Sequence, residues 1–194
     1  MKRLVLLGEG HGELSALPIL VGRLLKEKQG GVLYLDRHVI RGVPSHLVKW
    51  DKAAAKPDYS AWVNRIELAA RRREIGAILA IYDGDAVRFP AGSQTLFCAK
   101  DAAASMATAA SLAGAGKMFS LAVVFACTEY ESWLIGGVES LAGRRTKDGR
   151  VIIPSDARFP EGEPESHGKA WLQRTCPSYR PTRDQADLTE FARL

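Results

Sequence analysis

Cysteine and long apolar runs are both scarce in this sequence, and each scarcity argues against a class of protein. The 194 residues contain three cysteines, Cys98, Cys127 and Cys176, an odd number without close spacing. This usage disfavours a disulfide framework and a zinc site, and it favours a reducing compartment. The apolar run 4–7 is shorter than the core of a signal peptide, and no run approaches the roughly 20 residues of a membrane span. We therefore expect a cytoplasmic protein with no membrane partner.

The overall composition is that of an ordinary globular domain. Hydrophobic residues make up 46% of the chain and charged residues 25%, and the length suffices for one full core. The formal net charge of +5 is compatible with a polyanionic partner, but many enzymes share it. Composition alone therefore leaves the function open.

Short apolar segments alternate along the chain with segments of helical periodicity. Strands are predicted at 3–7, 32–40, 75–86 and 119–127, and all but the second are apolar runs expected to be buried. Helices are predicted from Glu13 to the glycines at 30 and 31, then at 58–74, 93–117 and 128–137, with two late helical pieces at 168–176 and 185–194.

This alternation predicts an α/β fold, a Rossmann-like and mainly parallel four-stranded sheet flanked by helices. We expect residues 1–140 to form the core. Residues 141–194 are expected to form an irregular and helical extension packed on the same domain, because regular patterning fades there.

Acidic residues follow three of the four predicted strands. They are Glu9 and Glu13, Asp83 and Asp85, and Glu129 and Glu131. Ligands of open α/β sheets bind at the carboxyl ends of the strands. We therefore expect a functional site at this edge.

The glycines after the first strand do not fit a dinucleotide site. Gly8, Gly10 and Gly12 give G-x-G-x-G, one residue short of the dinucleotide fingerprint, and Asp36 lies within a predicted strand. Two neighbouring carboxylates would also repel a pyrophosphate, and no Lys-Ser or Lys-Thr follows the glycines as in a phosphate-binding loop.

A divalent metal ion would attract the same carboxylates, which would repel a pyrophosphate. Mg²⁺ is a hard cation held by one or two carboxylates together with water and substrate phosphates. Asp83 and Asp85 can turn towards one ion as their strand ends, with Gly84 permitting the bend. Glu9 would add a third ligand, and Glu13 could reach a second ion.

These motifs carry a family resemblance. Glu9-Gly10 after the first strand and Asp83-Gly84-Asp85 after a later buried strand resemble the TOPRIM domain of topoisomerases, primases and overcoming-lysogenization-defect (OLD) nucleases. The spacing of Glu9 and Glu13 resembles the OLD type. Segments 126–134 and 168–172 are similar to a bacterial TOPRIM-like family, domain of unknown function family 4276. The resemblance runs from Glu9 to about Leu188.

The resemblance implies a TOPRIM fold and phosphodiester chemistry that depends on Mg²⁺ or Mn²⁺. It implies that Glu9, Asp83 and Asp85 form a catalytic metal triad and that Glu13 is the second OLD-type acid. The sequence departs from the pattern at Gly12, where most relatives are expected to carry threonine or serine.

The acids after the fourth strand have competing interpretations. Thr128 and Glu131 have the spacing of a capping box, so Glu131 is predicted to cap a helix and Glu129 is the better metal ligand. His11 could act as a general base, but a histidine in a loop is more often simply solvated.

Basic residues supply candidates for contact with phosphate. Arg144, Arg145 and Lys147 fall in a predicted loop after the last acidic strand end and are predicted to bind nucleic acid. Lys169 is predicted to neutralise charge on a phosphodiester in the transition state.

Three functions stay open. The first is a metal-dependent nuclease acting on DNA or RNA, in defence or DNA repair, with a separate ATPase as partner because this chain lacks a Walker motif. The second is a non-catalytic TOPRIM-like subunit that binds a partner protein. The third is a nucleotidyl or glycosyl transferase in which Asp83 and Asp85 hold a metal-nucleotide.

Overall fold

The computed structural model describes residues 1–27, 33–159 and 168–193. Its strands are β1 (Lys2–Gly8), β2 (Leu33–Leu35), β3 (Ile40–Arg41), β4 (Lys49–Asp51), β5 (Lys56–Asp58), β6 (Ile75–Tyr82) and β7 (Ser120–Phe125). Its helices are α1 (His11–Glu27), α2 (Pro44–Leu47), α3 (Ser60–Ala70), α4 (Ala99–Ala110), α5 (Glu131–Gly136), α6 (Val138–Leu141), α7 (Gly168–Thr175) and α8 (Pro181–Phe191).

The main sheet is parallel and runs in the order β2-β1-β6-β7, with β3 also paired to β1. Val5 of β1 pairs with Ile78 of β6, and Ala80 of β6 pairs with Val123 of β7, so β1 and β6 occupy the centre of the sheet. The predicted α/β class, with a mainly parallel sheet between helices, is confirmed.

Each face of the sheet packs against its own set of helices. Leu4 and Leu6 of β1 point into a core with α1 and α5–α8, whereas Val5 and Leu7 point into a core with α3 and α4. This follows from the alternation of side chains along a strand. The first core also contains Tyr179 and other apolar residues of the carboxyl-terminal segment.

The main sheet contains five strands rather than the four expected, because the predicted strand 32–40 is split. Asp36 follows β2, and its carboxylate accepts hydrogen bonds from the His38 main chain at 3.0 Å and from Arg3 at 3.0 Å. This local bond turns the chain out of the strand. Residue 32 lies outside the described residues, as do residues 28–31 at the predicted end of the first helix.

Several other boundaries differ from expectation. The antiparallel pair β4–β5 was not predicted, and β7 alternates between exposed and half-buried residues because it ends the strand order of the described sheet. The predicted helix 93–117 begins only at Ala99. The residues before it fold back on the segment that follows β6. The main-chain N–H of Phe89 donates to the Thr95 carbonyl, and that of Phe97 donates to the Val87 carbonyl.

The described cysteines are all free, with Cys98 and Cys127 exposed and Cys176 buried. Within the described ranges, no helix combines the length and the apolar character needed to cross a bilayer.

Candidate metal centre

Three of the predicted acids line one cavity where two central strands end. Strands β1 and β6 are neighbours in the sheet, and Glu9 and Asp83 are the residues that directly follow them. Glu9, Asp83 and Asp85 line one cavity of about 180 Å³. The parallel pairing of β1 and β6 therefore brings together side chains that are more than 70 positions apart in sequence.

Burial and mutual repulsion make two of these carboxyls hold their protons tightly. Burial, then the charges of Asp85 and Glu13, raise the pKa of Glu9 to about 7. Burial, then the charge of Glu13, raise the pKa of Asp83 to about 8, although a hydrogen bond from the Tyr130 main chain opposes the shift. A bound cation would relieve this repulsion.

Asp83 also has a structural contact. Its Oδ1 accepts a hydrogen bond of 2.8 Å from the main-chain N–H of Tyr130, immediately before α5. The carboxylate at the end of β6 thereby holds the loop that follows β7. A substitution at Asp83 must preserve this acceptor if it is to report on charge alone.

Glu13 folds back over the loop that precedes its own helix. Its carboxylate accepts a hydrogen bond from the main-chain N–H of Gly10, and the side chain is buried. A Cβ at Gly10 would lie 2.8 Å from Glu13 Oε2, so glycine keeps room for this carboxylate. The glycine loop therefore accommodates an acid, whereas a dinucleotide loop would accommodate a phosphate.

Gly12 has an explanation that sequence reasoning missed. A Cβ at this position would lie 1.7 Å from Gln185 Oε1 and 3.2 Å from the Pro181 carbonyl oxygen. Helix α8 therefore packs closely on the first turn of α1, and a side chain at Gly12 would have to displace the Gln185 amide and press on the Pro181 carbonyl. Packing of α8 against α1 therefore accounts for the glycine at this position.

The expected capping box is wrong. Helix α5 begins at Glu131 itself, no side chain caps it, and Thr128 adopts a left-handed backbone with φ of 63°. The Glu131 side chain is buried and accepts a 3.1 Å hydrogen bond from the Tyr179 hydroxyl. Glu129 Oε2 accepts the main-chain N–H of Lys169 at 2.8 Å, which fixes the start of α7.

Lys169 lies among the acids. Burial would lower its pKa, but the carboxylates of Glu131, Glu129, Asp83 and Glu13 outweigh that effect and raise the pKa above its usual value. The ammonium group is therefore a fixed positive charge beside the carboxylates. The hydrogen bond from its main-chain N–H to Glu129 adds a geometric basis to its sequence context.

The predicted nucleic-acid loop makes contacts of its own. Arg144 Nε donates to the Ser140 carbonyl at 2.7 Å, Arg145 donates to the Gly149 carbonyl at 2.8 Å, and Lys147 pairs with Glu190 at 2.9 Å. None of these three cations is among the described residues that line the acidic cavity. Their role in binding nucleic acid stays a prediction.

The cavity contains residues that sequence reasoning did not single out. Arg88 lines it, with Nη1 donating to the Gln94 carbonyl at 2.6 Å, and so do Phe89, Phe97 and Phe125. Phe89 and Phe97 belong to the segment after β6 that folds back on itself through main-chain hydrogen bonds. Sequence reasoning missed this segment, because Phe97 fell within the predicted helix 93–117 and no element was predicted around Phe89.

The residues fit one type of metal site and not another. In the part of the chain that the structure describes, no group of three or more His, Cys, Asp or Glu could hold a metal ion. Within the described residues, this conformation therefore contains no preformed group of three such ligands. Mg²⁺ held by one or two carboxylates and otherwise by water still suits the oxygen donors present.

A larger open groove between α3 and α4 has a different character. It measures about 930 Å³ and is lined by Tyr59, Ser60, Val63, Asn64, Ser105, Thr108, Ala109, Ser111 and Leu112. No acidic or basic side chain is among these described residues. The smaller acidic cavity is therefore the better candidate for chemistry.

The fold and the site define an α/β protein with a carboxylate cluster at the carboxyl edge of a parallel sheet. Residues 8–194 match the family described as Domain of unknown function (DUF4276). The chain belongs to this family. Searches of curated proteins and of solved structures found no match.

Proposed function

We propose that this protein hydrolyses phosphodiester bonds of nucleic acid with Mg²⁺ or Mn²⁺, and that its α/β fold is of the TOPRIM type. The observation that carries the proposal is the shared cavity of Glu9, Asp83 and Asp85 at the ends of β1 and β6. These are the positions where the resemblance to TOPRIM domains implies metal ligands.

In this proposal the carboxylates of Glu9, Asp83 and Asp85 hold the cation, directly or through water. When bound, the cation would orient water and stabilise charge on the reacting phosphate. Glu13 and Glu129 would serve a second ion, although each already accepts a main-chain hydrogen bond.

Basic side chains of the protein would contact the phosphate and offset its charge. Lys169 lies among the carboxylates, where its charge can offset negative charge that develops in the transition state. Arg88 lines the cavity and can bind a phosphate of the strand.

The decisive experiment is cleavage of labelled DNA and RNA in Mg²⁺ and in Mn²⁺ by matched variants. Asp83→Asn keeps an oxygen acceptor for the Tyr130 N–H while removing the charge, so the fold should survive. We expect at least about a hundredfold loss of cleavage. Asp101→Asn removes an exposed carboxylate in the first turn of α4 and should cleave normally. Unchanged cleavage by Asp83→Asn would refute the mechanism.

A second comparison separates the two sets of basic residues. Arg88→Gln should weaken nucleic-acid binding and reduce its salt dependence, because one phosphate contact is lost. If Arg144 and Arg145 bind the strand as the sequence predicts, their double replacement by glutamine should do the same. If Arg88→Gln binds nucleic acid with the affinity and salt dependence of the wild type, Arg88 does not contact the phosphates.

The absence of a preformed three-ligand group in the described chain favours one alternative, a non-catalytic subunit that binds a partner such as an ATPase. That alternative predicts no cleavage by the purified protein with either metal. It also predicts that Asp83→Asn leaves partner binding intact.

A further inference from the structure

The acidic cavity includes an aromatic surface that phosphodiester hydrolysis does not require. Phe97 packs against Phe125 with ring centroids 5.2 Å apart at 74°, and against Phe89 at 6.4 Å and 75°. All three rings line the same cavity as the carboxylates. Phe89 is buried, whereas Phe97 and Phe125 are half-buried and leave part of their surface accessible.

The size of the cavity limits what can enter it. Its volume of about 180 Å³ corresponds to about six water molecules at roughly 30 Å³ each. Pockets for drug-sized ligands begin near roughly 300 Å³. The cavity therefore suits one small ring system better than a whole nucleotide.

A nucleobase has the chemistry that this lining would recognise. Bases of single strands stack on aromatic side chains with little sequence preference, because every base has a π-face. A base within a duplex is stacked and paired, and it enters a pocket only if it is flipped out at a cost of a few kcal/mol. Since only a sugar separates base from phosphate, a base among the phenylalanines would bring its phosphate close to Arg88 and the acids.

We propose that this cavity binds one unpaired base of a single-stranded nucleic acid, through Phe97 and Phe125, beside the carboxylates that act on its phosphate. The inference rests on the proposed function for the role of the carboxylates. It adds the substrate class, which is a single strand rather than a duplex.

Binding can be measured separately from cleavage. Fluorescence anisotropy with Ca²⁺, which takes the same oxygen ligands, would compare a labelled 12-nucleotide thymidine strand with an abasic strand of equal length and with a duplex. We expect the abasic strand and the duplex to bind about fivefold to a hundredfold more weakly than the thymidine strand.

Variants assign the effect to the aromatic surface. Phe97→Leu keeps an apolar side chain but removes the ring, so it should weaken binding of the thymidine strand by a similar factor and leave the abasic strand unaffected. Phe97→Tyr keeps the ring and should bind like the wild type. Leu96→Ala is the matched control, because Leu96 is 70% exposed and does not line the cavity.

Equal binding of the thymidine and abasic strands would overturn the inference, as would a duplex that binds as tightly as the single strand or the absence of all binding. Cleavage without any preference for unpaired bases would refute this inference alone. A preference for unpaired bases without cleavage would support it and refute the proposed hydrolysis.

Discussion

Asp83 combines two roles whose electrostatic demands conflict. Its carboxylate accepts a hydrogen bond from Tyr130, which favours the charged form, but burial and neighbouring carboxylates favour the protonated form. Because the pKa of Asp83 is raised to about 8, the protonated form prevails up to about that pH. In the metal-free protein this residue therefore reduces stability at alkaline pH.

We predict that Asp83→Asn is more stable than the wild type in chelating buffer, by more at pH 9 than at pH 6, and that the two become about equal only below about pH 4. The folded state binds the Asp83 proton more tightly than the unfolded state does. The stabilisation from that proton is full below the unfolded pKa and is lost as the pH rises through about 8. Asparagine has no such loss. Thermal melts at both pH values measure the difference, where about 1 kcal/mol shifts Tm by about 2–4 °C. An equal difference at both pH values would contradict the assignment.

Gly12 is a second residue whose identity depends on a segment distant in sequence, helix α8. Because α8 covers it, we predict that Gly12→Thr destabilises the protein by about 1–3 kcal/mol in denaturant unfolding. Gly22→Ala in the same helix is the control. Its Cβ would lie 3.6 Å from Leu35, an ordinary contact, and alanine should stabilise the helix by up to about 1 kcal/mol. A neutral Gly12→Thr would mean that α8 can move away without cost.

At the scale of elements, short helices α5 and α7 depend on specific contacts with each other. A Cβ at Gly168 would lie 2.9 Å from the Ser132 main-chain nitrogen, so the start of α7 packs directly on α5. The Glu129 carboxylate accepts a hydrogen bond from the main chain of α7, and the Glu131 carboxylate accepts one from the Tyr179 hydroxyl just beyond α7. These helices have six and eight residues, too few to be stable alone, so tertiary contacts must hold them.

We predict that Tyr179→Phe costs about 1–3 kcal/mol of stability, because it leaves an oxygen of the buried Glu131 without its donor. Tyr34→Phe is the matched control, since Tyr34 is 53% exposed and should change little. Equilibrium unfolding in urea measures both. Equal effects of the two substitutions would show that the hydrogen bond between Tyr179 and Glu131 contributes nothing.

Elements were predictable where apolar patterning alone determines them. Strands β1 and β6 are such cases, since each is an apolar run ended by glycine or acid. The break at Asp36 was not predictable, because it depends on a side-chain bond to His38 and on Arg3 across the sheet. The segment at Phe89 and Phe97 was missed because its hydrogen bonds are local and irregular.

At the scale of the whole molecule, sheet topology explains why part of the site was predictable. Parallel strands place their carboxyl ends at one edge, so Glu9, Asp83 and Asp85 could be expected there from the strand pattern alone. The structure brings them to one cavity. Arg88, Phe89 and Phe97 were not anticipated, because the folding of the segment after β6 and not strand order puts them there, whereas Phe125 ends β7 beside β6.

The central claim is that these carboxylates bind a divalent cation, and calorimetric titration with Mg²⁺ and Mn²⁺ tests it most directly. Because protons compete for Glu9 with a pKa of about 7 and Asp83 with a pKa of about 8, we predict tighter binding at pH 8.5 than at pH 6. Asp83→Asn should bind the metal far more weakly, while Asp101→Asn should bind like the wild type. Absence of binding by the wild type at millimolar metal, or unchanged binding by Asp83→Asn, would contradict the account.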